Sequence, residues 1–203
     1  MFKTIIFDLG NVIVNVNYRR LFEEFASSSG RSLEFIESYY NNSPARKSFE
    51  KGMIDSQGIY NIFKKDLSLG MTLSKFEKAW CDIFSLNNDV AGLILKLRKR
   101  YKLILLSNTD ELHFNYIKNR YKIINEFDEL ILSYEFGYRK PNPMIFFKAL
   151  IKAKTLPFNC VYVDDISVFV NVAKLMGIKA LQYKNFELLM RDLKSLKILS
   201  KTL

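Results

Sequence analysis

Cysteine and histidine are almost absent from this chain: 203 residues include two cysteines and one histidine. Cys81 and Cys160 lie far apart, in apolar surroundings, with no CxxC and no Cys/His spacing suited to a metal. This argues against a disulfide framework and a thiolate metal centre. Buried, reduced thiols are expected, which fits a cytoplasmic location. His113 is the sole histidine. It falls three or four residues into a predicted helix, so a structural or exposed role is expected rather than acid–base work. No stretch of about 18 apolar residues exists, so no transmembrane helix or membrane partner is expected. The N-terminus starts like a signal peptide, with Lys3 before apolar residues. Asp8 breaks that run early, and no small-residue cleavage site follows. Internal repeats, low-complexity tracts and disordered linkers are also missing.

Acidic residues are outnumbered, 21 against 31 lysines and arginines, which leaves a net charge of +10. Such a balance is compatible with nucleic acid, a membrane surface or an anionic substrate. The cations are scattered, however, and the densest patch, Lys96-Leu97-Arg98-Lys99-Arg100-Tyr101-Lys102, reads as a helix end, where cations complement the dipole. No nucleic-acid reader motif accompanies it, so a nucleic-acid partner is not expected.

What the chain does have is apolar bulk. Hydrophobic residues make up 49% and aromatics 14%, enough for a sizeable core in one large domain or a domain with a small insert. Four short apolar runs end in polar residues: Thr4 to Phe7 before Asp8, Lys102 to Leu106 before Ser107-Asn108, Glu129 to Leu132, and Cys160 to Val163 before Asp164-Asp165. They read as buried strands of the parallel kind. A shorter strand is expected at Lys179–Tyr183. Between them lie segments of helical period. Val90, Ile94, Leu95 and Leu97 follow the cap region Asn87-Asn88-Asp89; Met144, Phe147, Leu150 and Ile151 start near Pro143; and Val168 to Met176 ends before Gly177. A lysine-rich amphipathic helix is expected over Phe186–Leu199. Strands alternating with helices predict an α/β fold with a parallel sheet. The stretch from Tyr18 to Phe84 differs: it has helical stripes such as Leu21-Phe22-Phe25 and Phe76-Ala79-Trp80, and no convincing strand. It is expected to be a small all-α insert.

In open α/β sheets, ligands sit just beyond the C-terminal ends of strands. Asp8, followed by Leu9-Gly10-Asn11, occupies such a place, although a turn or capping aspartate would look the same on that segment alone. The other strand ends add Ser107 and Asn108, then Lys140 within Gly137-Tyr138-Arg139-Lys140-Pro141, then the pair Asp164-Asp165. Each has a plain alternative: a helix cap for Ser107-Asn108, a surface lysine, a helix N-terminus for the aspartates. Together they bring a carboxylate nucleophile, a hydroxyl donor, a lysine and a carboxylate pair to one edge.

Phe7-Asp8-Leu9-Gly10-Asn11-Val12, Leu105-Leu106-Ser107-Asn108, Gly137-Tyr138-Arg139-Lys140-Pro141 and Val163-Asp164-Asp165, in that order, resemble the haloacid dehalogenase (HAD) superfamily of phosphatases. The first and second segments also resemble its α-D-glucose-1-phosphate phosphatase-like subgroup. The resemblance implies a Rossmann-like parallel-sheet core at 1–16 and 86–203, with a helical C1 cap at 17–85. It further implies that Asp8 attacks phosphorus and forms an aspartyl-phosphate. Asp8, the Gly10 carbonyl and Asp165 would hold Mg²⁺, with Asp164 a ligand or its close support. Ser107, Asn108 and the backbone N–H groups near Leu9 and Gly10 would hold the phosphoryl oxygens, and Lys140 would neutralise their charge. In the cap, Arg46 and Lys47 are candidates for substrate contact.

One position departs from the family pattern. Most phosphatases of the superfamily carry an aspartate two residues after the nucleophile, which protonates the leaving alcohol; here that residue is Gly10. Proton transfer of this kind contributes about 10²–10⁴-fold. The expected activity is therefore Mg²⁺-dependent hydrolysis of a small phosphorylated metabolite, a sugar phosphate, with one that has a good leaving group, such as a sugar 1-phosphate, as a candidate. The alternative is a weakly active or non-catalytic binding or regulatory protein of the same fold. A haloacid dehalogenase is disfavoured by the Asp164-Asp165 pair, which suits a metal that dehalogenation does not need.

Overall fold

A computed structural model of the protein describes residues 1–199. Residues 200–203 of the expected core lie outside the described residues. Five apolar segments form one parallel sheet: β1 (Thr4–Phe7), β4 (Lys102–Ser107), β5 (Glu129–Leu132), β6 (Cys160–Asp164) and β7 (Lys179–Gln182), in the order β5-β4-β1-β6-β7. The inner strands are apolar throughout because helices cover both sheet faces. Ile5, Phe7, Leu103, Leu105, Val161 and Val163 face one layer, made by α6 (Asn88–Leu97), α7 (Glu111–Arg120) and α11 (Phe186–Ser195). Ile6, Ile104, Leu106 and Tyr162 face the other, made by α9 (Pro143–Ala153) and α10 (Ser167–Leu175).

The helix starts follow capping chemistry. Asn87, Asp110 and Asn142 each accept a backbone N–H of the first turn of α6, α7 and α9, and Gly177 past α10 takes a left-handed φ of 81°. The predicted C-terminal helix is shorter than its periodicity suggests: it ends at Ser195, and Lys197, at φ 57°, turns the chain back so that Ile198 and Leu199 are buried.

After β1, the chain forms β2 (Val14–Val16) and then α1 (Tyr18–Ser29), α2 (Leu33–Asn42), α3 (Pro44–Phe49), α4 (Ser56–Leu67) and α5 (Leu73–Cys81), and returns through β3 (Phe84–Leu86). The five helices enclose their own apolar cluster around Phe25, Phe63, Phe76 and Trp80, whose rings contact one another. β2 and β3 pair antiparallel and carry the chain into and out of this helical unit. This ribbon was not foreseen, but it flanks the Tyr18–Phe84 stretch and meets it only at Phe84; the elements between are all helices. Three-residue strands are too short to display a period, and only their pairing defines them. Both cysteines are free and buried, as expected, and burial pushes the Cys81 thiol up to about 12 and the Cys160 thiol up to about 11. No helix among the described residues is long and apolar enough to cross a membrane.

Candidate active site

Phe7 of β1 is in register with Leu105 of β4 and Val163 of β6, so Asp8, Ser107 and Asp164 emerge along one edge of the sheet. The sheet changes direction at β1, where open α/β folds place their ligands. The Asp8 N–H donates to the Val163 carbonyl at 2.9 Å, which fixes the nucleophile candidate beside β6.

Lys140 enters this edge from the loop between α8 (Ser133–Phe136) and α9. Its Nζ lies 2.8 Å from Asp8 Oδ1 and 2.6 Å from Asp164 Oδ2, and it donates to the Leu106 carbonyl at 3.2 Å. At 2% exposure it is no surface lysine, and the carboxylates it joins are 6% (Asp8) and 0% (Asp164) exposed. A buried ammonium is tolerated only when paired and hydrogen-bonded in this way. Asn108 holds the lysine's loop: its side-chain NH₂ donates to the Lys140 carbonyl at 2.9 Å and its Oδ1 accepts the Lys140 N–H at 2.7 Å. The Asn108 amide is thus occupied as a strut, while buried Ser107 stands at the strand end.

Asp164 is saturated. Oδ2 accepts from Lys140 and from the Tyr162 hydroxyl, and Oδ1 accepts the Ile166 N–H at 2.7 Å. Asp165 is only half-buried, and its Oδ2 accepts from Asn11 Nδ2 at 3.3 Å. Asn11 takes a left-handed φ of 53°, which asparagine tolerates better than most residues.

The electrostatics leave a deficit of positive charge. Three carboxylates against one ammonium leave a formal charge of −3 + 1 = −2. Burial is the main reason the Asp8 carboxyl is pushed up to about 7; Lys140 opposes the shift and Asp164 adds to it. Burial and then Asp164 also raise Asp165. Burial alone would lower the Lys140 ammonium, but Asp8 and Asp164 outweigh it and hold it above its ordinary value. One carboxylate oxygen from each of Asp8, Asp164 and Asp165 lies within 4.8 Å of the others. Hard oxygen donors with two uncompensated negative charges fit Mg²⁺.

Gly10 does not have its identity imposed by the backbone. A Cβ built there would meet only Val16 Cγ2 at 3.6 Å, an ordinary contact. Leu9, beside it, is buried, and its backbone N–H reaches the Asp8 carboxylate.

Arg46 pairs with Glu50, donates from Nε to the Tyr40 carbonyl at 3.1 Å and lies over the Tyr40 ring. Glu50 also pairs with Arg139, next to Lys140 in sequence, so α3 is tied to the lysine's own loop. Lys47 is exposed. Sequence reasoning missed Tyr162, Glu50, Arg139 and Asn11. Tyr162 had a signal: it stands two residues before Asp164 on the same face of a strand otherwise free of hydroxyls, and a buried tyrosine hydroxyl needs a partner. Glu50 and Arg139 had none, because their pairing spans two separate segments.

Residues 2–168 match the family model of haloacid dehalogenase-like hydrolases. The chain is similar to a D-ribitol-5-phosphate phosphatase of Bacteroides thetaiotaomicron, 28% identical over 197 residues that cover 91% of this chain and 93% of the relative. Among solved structures, it is similar to a HAD family enzyme of the same organism in complex with magnesium and inorganic phosphate, with a TM-score of 0.82, 27% identity and coverage of 91% and 95%. A predicted HAD-like family hydrolase of Porphyromonas gingivalis shares the fold, with a TM-score of 0.84 at 21% identity over 97% of this chain and 98% of that one.

Proposed function

Given that the chain belongs to the haloacid dehalogenase-like hydrolases, we propose that it is a Mg²⁺-dependent phosphatase of a small phosphorylated sugar or polyol. The observation that carries this reading is the Lys140 ammonium held between Asp8 and Asp164 at the end of three adjacent parallel strands. Asp8 is the nucleophile. Its free carboxylate oxygen forms a bond to phosphorus as the bond to the leaving oxygen breaks, and water then hydrolyses the aspartyl-phosphate. Lys140 faces the charge of the transferred phosphoryl group, and the Ser107 hydroxyl and nearby backbone N–H groups take up its oxygens. Asp8, the Gly10 carbonyl and Asp165 would hold the metal, and Asp164 orients Lys140. Bound there, Mg²⁺ offsets the repulsion between an anionic nucleophile and an anionic phosphate. The helices at 17–85 act as a cap over a core at 1–16 and 86–203, with Arg46 and Lys47 on the cap side. Arg46 acts through Glu50 and Arg139, and exposed Lys47 is available to an incoming anion.

The relative's activity on ribitol 5-phosphate supports a phosphorylated polyol or sugar. Gly10 supports a substrate whose leaving group needs little protonation, such as a sugar 1-phosphate. Gly10 also favours a second reading, a protein that binds phosphate and metal without turnover. The test is phosphate release from ribitol 5-phosphate, a sugar 1-phosphate, a sugar 6-phosphate and p-nitrophenyl phosphate, with Mg²⁺ or with chelator. Metal-dependent release that disappears in Asp8→Asn is expected. Release that survives Asp8→Asn refutes the mechanism, and binding without release from any of the four establishes the second reading.

A further inference from the structure

His113 lies on α7, three residues past its N-cap Asp110, and only two residues separate Asp110 from Ser107. His113 is 7% exposed; its ring stacks on Trp80 of α5 at a centroid distance of 5.5 Å and meets Phe84 of β3 edge-on at 4.9 Å. Both ring nitrogens face oxygen. Nε2 is 2.8 Å from the Trp80 backbone carbonyl, and Nδ1 is 2.9 Å from Asp110 Oδ2. A carbonyl only accepts, so Nε2 carries a hydrogen. Asp110 accepts the His113 backbone N–H at 2.9 Å through Oδ1 and the Trp80 indole N–H at 3.2 Å through Oδ2. Burial alone would raise its carboxyl, but the two N–H groups that donate to it, from the His113 backbone and the Trp80 indole, favour the ionised form. An ionised carboxylate also only accepts, so Nδ1 carries a hydrogen as well. The surrounding groups add no competing charge at the ring: Arg46 acts on Asp110 only electrostatically and is paired with Glu50, and the Cys81 thiol is neutral.

We propose that His113 is a positioning residue carried as an imidazolium, whose two ring N–H groups fasten α5 to the N-cap of α7 and thereby fix the loop from Ser107 to Asp110. The rest of that loop is already anchored, Thr109 to the Ser133 hydroxyl at 3.0 Å and Asn108 to the Lys140 backbone. The clamp supplies the restraint at its far end and joins it to the helical unit. Its bearing on phosphate rests on the role given to Ser107 above; the protonation state does not.

Two variants test it. Asp110→Asn keeps an N-cap oxygen, since asparagine caps as well as aspartate, but its NH₂ can now donate to Nδ1. Ring ¹⁵N chemical shifts at pH 7.5 should show both nitrogens protonated in the wild type and the neutral Nε2–H tautomer in Asp110→Asn. One protonated nitrogen in the wild type, or two in the variant, overturns the assignment. His113→Phe keeps the stacking and loses both donors. With Mg²⁺ and p-nitrophenyl phosphate, its KM should rise roughly ten-fold while kcat changes little, the signature of lost positioning of a binding loop. An unchanged KM overturns the positioning role. If the chain turns nothing over, the same comparison is made on the dissociation constant of inorganic phosphate in Mg²⁺, so failure of the phosphatase reading leaves this test decisive.

Discussion

Gly10→Asp is expected to turn a slow phosphatase into a faster one, but only for substrates that need their leaving group protonated. The position can accept the change. Gly10 is not in the left-handed region, and a Cβ there meets Val16 Cγ2 at 3.6 Å, so neither backbone strain nor a clash opposes an aspartate. A well-placed general acid contributes about 10²–10⁴-fold, or roughly 2.7–5.4 kcal/mol of barrier at 1.36 kcal/mol per factor of ten. The cost is a fourth carboxylate near Asp8, Asp164 and Asp165, which already carry two uncompensated negative charges. That charge is partly exposed to solvent on the Asp165 side, and Mg²⁺ offsets it, so the gain should exceed the cost. The assay is kcat/KM with Mg²⁺ for ribitol 5-phosphate and p-nitrophenyl phosphate, in wild type, Gly10→Asp and Gly10→Asn. The asparagine variant matches the shape without the proton. Gly10→Asp should accelerate ribitol 5-phosphate hydrolysis by about 10²-fold or more and p-nitrophenyl phosphate far less, and Gly10→Asn should do neither. A folded, Mg²⁺-binding Gly10→Asp protein no faster than Gly10→Asn on ribitol 5-phosphate refutes the reasoning, and so does equal acceleration of both substrates.

Three other perturbations have definite signs. With burial raising Asp8 to about 7 in the metal-free protein, a proton must leave before a cation is held; Mg²⁺ affinity should therefore rise about tenfold per pH unit up to about pH 7 and flatten above it, measured by titration calorimetry in buffers of different ionisation enthalpy. Lys140→Met leaves Asp8 and Asp164 buried without their cation; metal-free stability should fall by about 3–5 kcal/mol in denaturant unfolding, and Mg²⁺ should restore part of it while activity stays lost. Gly52 sits at φ 67° with its Cβ direction 2.1 Å from the Tyr134 carbonyl oxygen, at a seam cavity of ≈ 470 Å³ that it also lines; Gly52→Ala should push the α3–α4 segment off α8, lower stability by more than about 1 kcal/mol in thermal unfolding and raise KM, and an unchanged melting temperature would count against this seating of the helical unit.

Legibility of the fold tracked the range of the forces involved. The runs at Thr4–Phe7, Lys102–Ser107 and Cys160–Asp164 are apolar on both faces, a local property that only a buried parallel strand explains. Asn87 and Asn142 cap their helices through atoms two or three residues away, so their roles were also local. The β2–β3 ribbon escaped because three-residue strands gain their identity from a partner some 70 residues away, as between Asn15 and Ser85. The C-terminal helix was overextended because Ile198 and Leu199 continue its apolar spacing while being buried by a chain reversal instead.

For the site, residue order alone singled out the candidate groups: Asp8, Ser107, Lys140 and Asp164-Asp165 stand at predicted strand ends or in the loops after them, and the sheet order brings them to one edge. How they are held is visible only once the chain is folded. Asn108 became the strut of the Lys140 loop rather than a free amide, Tyr162 bound Asp164, Asn11 reached Asp165 across 154 positions, and Arg46 was drawn to Glu50 and through it to Arg139. His113 acquired two acceptors, on Trp80 and Asp110, that stand 30 positions apart in the chain. Backbone periodicity is set by neighbours along the chain, so residue order reveals it. Pairing of buried charges and hydrogen-bond donors is set by what desolvation leaves facing each group, and that is fixed only when distant segments pack.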